Sequence, residues 1–490
     1  MSIRARSLLG LMALCAMPSL ATDYHVGPGQ ALAAIGDVPW ESLAAGDRIL
    51  IHWRATPYKE KWVINAVGTS EQPIIVRGIP GPGGQRPVID GRDAVTRTQL
   101  SFWNDERGVI KVGGSSIPSD GLPTHVLIEG LEIRSGRPPF TFFDDGGNQL
   151  TYADNAAAIY VEKAANLTVR DNELHDCGNG LFSGAFDGLT RDVLIERNYI
   201  HSNGNVGSAF HHNTYTSGIG MTYQFNRFGA LRNGADGNNL KDRSAGLVVR
   251  YNWIEDGNRQ LDLVEASSPT VVGDPSYDET FVYGNVLIEP DGAGNSQVAH
   301  YGGDGSDPSN YRKGSMYFYN NTVVSTRSGN TTLMRLSTDD EAADVRNNVL
   351  YVTANGDRLA MVGSSGDLTL RNNWTKPGWV LSHDGGTSAT LDDDGSGVSG
   401  TTPGFVDEPM QDFHLASDSD AVNAATFLHP DALPEHLLSL EYVRHLLDQP
   451  RPIDALLDIG AFEFCTSGCD PIFADGFESG DTSAWSSTTF

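Results

Sequence analysis

Short runs of alternating apolar and polar residues recur along the chain. Each reaches an asparagine with another apolar residue within two positions after it. The runs read LTVRDNEL, VLIERNYI, MTYQFNRF, LVVRYNWI, TFVYGNVL, YFYNNTVV, DVRNNVLY and LTLRNNW. Aligned, they put Asn172, Asn198, Asn226, Asn252, Asn285, Asn321, Asn348 and Asn373 in one column, at spacings of 26, 28, 26, 33, 36, 27 and 25 residues. Alternation with period two is the mark of a β-strand, and the Gly, Asn and Asp between the runs mark turns. The long amphipathic stretches of a helical repeat are missing.

A near-constant period of this size predicts a solenoid. Built from short strands, the expected fold is all-β, a right-handed parallel β-helix with each coil on the last at ~4.8 Å. Asparagine suits a coil corner because it tolerates left-handed backbone angles, and its amide can hydrogen-bond to the next coil. The column is therefore read as structural. The two long spacings around Asn285 mark insertions at 267–279 and 301–314. Insertions in a solenoid project from one face and often wall its binding site.

The ends of the repeat carry a resemblance. GDRILIHWRATPYKEKWVINAVGTSEQPIIVRGIP with PVIDG resembles the first coils of secreted β-helix proteins of the pectate lyase and chondroitinase B/alginate lyase kind. FVDEPMQDFHLASDSDAVNAA and DIGAFEF resemble closing coils of the same superfamily. The resemblance spans residues 22–464 and implies the fold. The scaffold serves many functions, so the reaction has to be argued from a site.

At the start, Arg4 and Arg6 precede an apolar run from Leu8 to Met17 and a small-x-small site at Ser19-Leu20-Ala21. Residues 1–21 are expected to be a secretory signal peptide, too short for a membrane anchor. The expected division is then 1–21 leader, 22–464 β-helix and 465–490 tail, in a secreted monomer without a transmembrane span. A net charge of −28 argues against nucleic acid and anionic membranes as partners. Cys465 and Cys469 are placed to close a small loop in an oxidising compartment, and Cys177 reads as a buried apolar residue.

A second strand follows the asparagine strand in each coil: FHHNTYTSG, GNNLKDRSAG, RQLDLVEASS and SQVAHYGG. Matching Gly218 to Gly246 sets Tyr215 beside Arg243 and Asn213 beside Lys241. With Leu240 and Leu261 inward, Lys241 and Asp262 point outward on neighbouring coils. The outward face is expected to carry His211, Asn213 and Tyr215, then Asn239, Lys241 and Arg243, then Asp262, with His300 nearby. His212 is expected to be inward and hydrogen-bonded. Six basic residues against four acidic ones between 227 and 259 make a positive band on an acidic protein. Such a band would draw in an acidic polysaccharide.

These residue types fit β-elimination on a uronate. The substrate carboxylate must be neutralised, a base must take the C5 proton, and an acid may protonate the leaving oxygen. Lys241, crowded by Arg243 and partly buried, is the expected base, and Arg243 the carboxylate clamp. Tyr215 or His211 would supply the proton, with Asn213, Asn239, Asp262 and His300 binding substrate. LKDRS also resembles the (I/L)xKS-like strand of chondroitinase B/alginate lyase-type enzymes, which implies the base role for Lys241; here the serine follows three residues after the lysine.

Two alternatives stand beside this. A glycoside hydrolase needs two carboxylates, for which Asp262 with Glu265 or Asp242 is the available choice. The NTD, DD and GHG motifs of polygalacturonases are absent from the matching coils, where FDDGG (143–147) falls in an insertion and reads as a turn; the DPHD motif of mannuronan epimerases is missing too. A non-catalytic glycan-binding or adhesin-like β-helix would use Tyr215, Tyr301 and Tyr311 for sugar stacking. No cofactor is required by the sequence. LDDDGSG (391–397) lacks the full spacing of a Ca2+ loop and reads as a solvated turn, so Ca2+ is the one ion left open.

Overall fold

The structure, a computed structural model, describes residues 21–452 and 456–465. The rest of the expected leader, and the tail beyond Cys465, lie outside the described residues. Alternation in the sequence becomes three long sheets. One has 13 strands from Asp23–Val26 to Thr390–Asp393, one has 11 from Val88–Asp90 to Val398–Ser399, and a third has 13 that end at Leu359–Val362. From Thr124 to Val362 the chain visits the first, second and third sheets in turn. Each strand pairs in parallel with its counterpart one coil on. The chain is a right-handed parallel β-helix. The third sheet's early end is closed by an antiparallel hairpin, Thr141–Phe143 with Gln149–Thr151, whose turn is the FDDGG segment.

Because side chains alternate across a strand, one set fills the tube. Val193, Ile195, Met221, Tyr223 and Val249 follow one another inward on successive first-sheet strands, each at most 2 % exposed. At the corner between first and second sheets the asparagine column forms one ladder. Each Nδ2 donates to the next Oδ1, from Asn172 to Asn198 (3.2 Å), then at 2.9–3.0 Å through to Asn373. Each Oδ1 also accepts the backbone N–H of the asparagine one coil earlier. The left-handed angle expected at these asparagines belongs to the residue before each. Asp171, Arg197, Phe225, Tyr251, Asn320, Asn347 and Asn372 have φ of 46–57° there, and Gly284 has 65°. The corner needs two residues with separate tasks, one to turn the chain and one to hold the coils.

FVDEPMQDFHLASDSDAVNAA and DIGAFEF are not closing coils. Residues 405–415 and 440–450 instead form two antiparallel hairpins, Phe405–Asp407 with Asp412–Leu415 and Leu440–Val443 with Leu447–Pro450. They run back along the outside of the tube as a clasp. The reason is an apolar strip on the outer wall: Phe225, Tyr251, Trp253, Phe281, Tyr283, Tyr317 and Tyr319 are buried by the clasp. Trp253 stacks on Phe413 (5.6 Å) and Phe281 on His436 (3.7 Å). The turn residues anchor it: Asn320, Asn347 and Asn372 donate to the carbonyls of Asp458, Thr426 and Ala424 at 2.8–2.9 Å. Leu391–Asp393 belongs to the last first-sheet strand rather than a free turn, with Asp392 paired to Arg371. Cys177 is free and buried, whereas Cys465 is disulfide-bonded and Cys469 lies outside the described residues. Among the described residues no helix is long and apolar enough to cross a membrane.

Candidate active site

The outward face of the third sheet carries one row in continuous register: Lys111, Tyr160, Phe182, Tyr215, Lys241, Asp262, His300 and Arg335. After Lys111 it is aromatic, with Tyr160, Phe182 and Tyr215 in ring contact at 5.6 and 5.4 Å. From Lys241 onward it is polar and mostly charged. The parity argument holds, since Leu240 and Leu261 face inward and Lys241 and Asp262 outward.

The register differs by two residues from the expected one. Tyr215 lies beside Lys241, not Arg243, because Ile219 is bridged to Ala245, so the glycine opposite Gly246 is Gly220 rather than Gly218. Both Gly220 and Gly246 have positive φ, 72° and 61°. Asn213 and Asn239 are corrected more strongly. They are fully buried at the corner before the strand, where alternation has not begun. Asn203 donates to Asn213 at 3.0 Å, and Asn213 to Asn239 at 2.5 Å, a second amide ladder rather than a substrate surface. His211 turns away to Ser208, 2.9 Å from its Oγ. The histidine at the site is His212, whose ring meets Tyr215 edge-on at 5.5 Å and whose Nδ1 accepts the Asn238 N–H at 2.9 Å. Burial and then the charge of Lys241 lower its pKa to about 3, so it is neutral. Tyr301 faces inward, and Asp242 is inside the wall, bonded to Thr216, Ser244 and Arg312.

Lys241 Nζ donates to Asp262 Oδ2 (2.5 Å) and to Asp304 Oδ2 (2.6 Å). Arg243 donates from Nη2 to the other oxygen of Asp304 (2.7 Å) and from Nε to the Tyr215 hydroxyl (3.0 Å). Lys241 and Arg243 therefore do not crowd one another directly; the Asp304 carboxylate bridges them. Sequence reasoning missed Asp304, which belongs to the 301–314 insertion. That insertion reaches the site as expected. It is held by Asp304 N–H to Glu265 (2.8 Å) and Gly303 N–H to Ser337 (2.9 Å), with Arg312 buried at its base. Gly303 packs so close to the Tyr311 ring that a Cβ would stand 2.1 Å from it. The 267–279 insertion braces the first, Tyr277 donating to the Asn310 carbonyl at 2.8 Å.

Asp262 is the buried hub. It takes hydrogen bonds from Lys241, from Asn238 Nδ2 (2.7 Å) and from His300 Nδ1 (2.8 Å). Burial would raise its pKa, but the His300 hydrogen bond and the charges of Lys241 and Arg259 hold it well below the ordinary carboxylate range. His300 is lowered, chiefly by its own burial. Its Nε2 meets Ser337 Oγ at 2.9 Å, giving the Asp–His–Ser order of a nucleophilic triad. Yet that Oγ also takes the Gly303 N–H and lies 2.9 Å from the Gly303 carbonyl, so Ser337 staples the insertion instead. Among the described residues no three His, Cys, Asp or Glu side chains converge as a metal site.

The family model for a right handed beta helix region matches residues 88–287, a stretch containing Lys241, Arg243 and Asp262. No curated protein matches the chain. Among solved structures, an alginate lyase from Paenibacillus sp. str. FPU-7 is 14 % identical, covering 62 % of this chain and 89 % of its own, with a TM-score of 0.41. Pectate lyase Pel9A is 13 % identical over 91 % and 97 % (TM-score 0.44). A GH136 lacto-N-biosidase from Eubacterium ramulus is 11 % identical over 78 % and 68 % (TM-score 0.35). At these identities and scores the likenesses carry no argument about the reaction.

Proposed function

We propose that the chain is a secreted polysaccharide lyase that cleaves an acidic, uronate-bearing glycan by β-elimination. One observation carries the reading: two cations, Lys241 and Arg243, stand 2.6 and 2.7 Å from the two oxygens of a single carboxylate, next to a phenol. That is the arrangement elimination needs. A uronate seated there has its charge neutralised, and charge developing on the carboxylate as C5 loses its proton is stabilised in place. In this reading both cations seat the uronate and Arg243 holds it through the reaction; Lys241 gives up its ammonium proton to solvent and, as a neutral amine, takes the C5 proton, while the Tyr215 hydroxyl gives its proton to the leaving oxygen and recovers one from water. The clamp supplies neutralisation from side chains, so the rate is proposed to be independent of Ca2+.

A hydrolase with Asp262 as acid or nucleophile is disfavoured, because that carboxylate is 2 % exposed and held by three donors. A glycan-binding reading draws on the Tyr160–Phe182–Tyr215 row, which suits stacking with or without catalysis. The test is whether incubation with uronate polymers creates the unsaturated uronate chromophore, with and without a chelator.

A further inference from the structure

The bridging carboxylate belongs to the protein itself. Asp304 comes from a loop of the sequence GGDG, in which residues 304–309 are exposed, whereas Lys241 is only 5 % exposed. Burial works against its charge, yet Lys241 and Arg243 lower its pKa. Each cation also has a second partner on the β-helix wall. Lys241 keeps Asp262, and Arg243 keeps Tyr215, the Glu265 carbonyl (2.5 Å) and the Glu265 carboxylate (3.3 Å). Withdrawal of Asp304 would therefore leave both cations in place, aimed at the same point.

We propose that Asp304 is the specificity-determining residue of this site: its carboxylate occupies the seat of a sugar carboxylate, and only a ligand that brings its own carboxylate displaces it. The inference rests on reading Lys241 and Arg243 as a carboxylate clamp. A neutral sugar cannot replace the two charge-assisted hydrogen bonds that Asp304 gives up, whereas a uronate restores both. The insertion thus acts as an internal competitor. It lowers apparent affinity for a ligand that takes the seat, by the fraction of time the seat is free, whereas a neutral glycan has no carboxylate to exchange for that of Asp304 and does not take the seat in either form.

The experiment is calorimetric titration of the full chain and of Asp304→Asn with a hexuronate trisaccharide and with the corresponding neutral hexose trisaccharide. Asp304→Asn keeps the side chain's size and removes its charge. The expected result is a gain of about tenfold or more in uronate affinity, set by how rarely the seat is free in the parent chain. No comparable gain is expected for the neutral sugar. Asp304→Ala serves the same comparison if the asparagine form does not fold. Unchanged or weaker uronate binding in folded Asp304 variants overturns the inference, as does an equal gain for the neutral sugar. The readout is binding, so it separates from the lyase reading. A gain in uronate affinity without an unsaturated product sustains the role of Asp304 and removes the elimination. Elimination by the parent chain without a gain in the variant does the reverse, and absence of uronate binding in every form overturns both.

Discussion

Lys241 and Asp262 are register partners on adjacent coils, joined Nζ to Oδ2, and both are almost out of reach of solvent at 5 % and 2 % exposure. The outward face is thus a packed polar wall. Replacing Lys241 has a structural consequence beyond any catalytic one, because Asp262 would stay buried without its ammonium partner.

The first prediction separates the two effects. Lys241→Ala should destabilise the chain by roughly 3 kcal/mol, the scale for stripping one partner from a buried ion pair. Lys241→Arg keeps a cation opposite Asp262 and should unfold close to the parent midpoint, yet a guanidinium cannot serve as the base. It should lose about 10²–10⁴ in rate. Thermal unfolding with turnover on the same preparations checks this; an active Lys241→Arg removes the base role.

The second concerns the asparagine ladder. Asn252 donates to the carbonyls of Tyr223 and Arg250 and to Asn285, and accepts from Asn226. The end rung, Asn373, donates to Val345 and has no further asparagine beyond it. Asn252→Ala should cost on the order of 3 kcal/mol through unsatisfied buried groups, and Asn373→Ala clearly less. Urea denaturation of the two variants checks the ranking; equal losses would mean the ladder does not hold the coils together.

These two cases mark how far the sequence is legible. The ladder could be read because its period survives insertions, and the Lys241–Asp262 face because parity within a strand is rigid. Phase is less legible. Residue type alone matches Gly218 to Gly246, whereas the backbone sets Gly220 opposite it, and those two share the positive φ. Asn213 and Asn239 sit before the strand starts, where period two does not apply, although their separation of 26 equals that of Asn226 and Asn252. The doublets Asn320-Asn321, Asn347-Asn348 and Asn372-Asn373 held a further signal: the second residue joins the ladder and the first anchors the clasp. Asp304 left none, because nothing local ties an insertion's tip to a strand 63 residues earlier.

The third prediction is a pH dependence in the clasp. Burial, reinforced by Arg227 and Arg444, lowers the pKa of His445 to about 4. Burial and Arg250 also lower His436, with Glu435 opposing. Against an unfolded value of about 6.5, the unfolded chain takes up these protons first. Their effect is absent above that pH, and stability falls as the pH drops from there towards the folded values. Trp253, stacked on Phe413 and Tyr442, reports the contact by fluorescence. His436→Gln with His445→Gln should flatten the curve relative to the parent; an unaltered curve would remove these histidines as its cause.

The fourth concerns the clamp. Arg243→Ala should raise KM and lower kcat together, because carboxylate neutralisation acts in the ground state and more strongly in the transition state. Arg243→Lys should recover part of the binding but not the paired geometry to Tyr215 and Asp304. Steady-state kinetics resolves the split. A change in KM alone would make Arg243 a binding residue only.

Elimination across a uronate linkage at the Lys241–Arg243 site is read by ultraviolet absorbance of the unsaturated uronate it creates. Pectate, alginate, hyaluronan, chondroitin and bacterial exopolysaccharides are each incubated with the parent chain and with Lys241→Arg, with and without chelator. At least one polymer should yield the unsaturated uronate chromophore with the parent chain, unaffected by chelation, and Lys241→Arg should yield almost none. No chromophore from any polymer, or new reducing ends without it, would rule out elimination at this site.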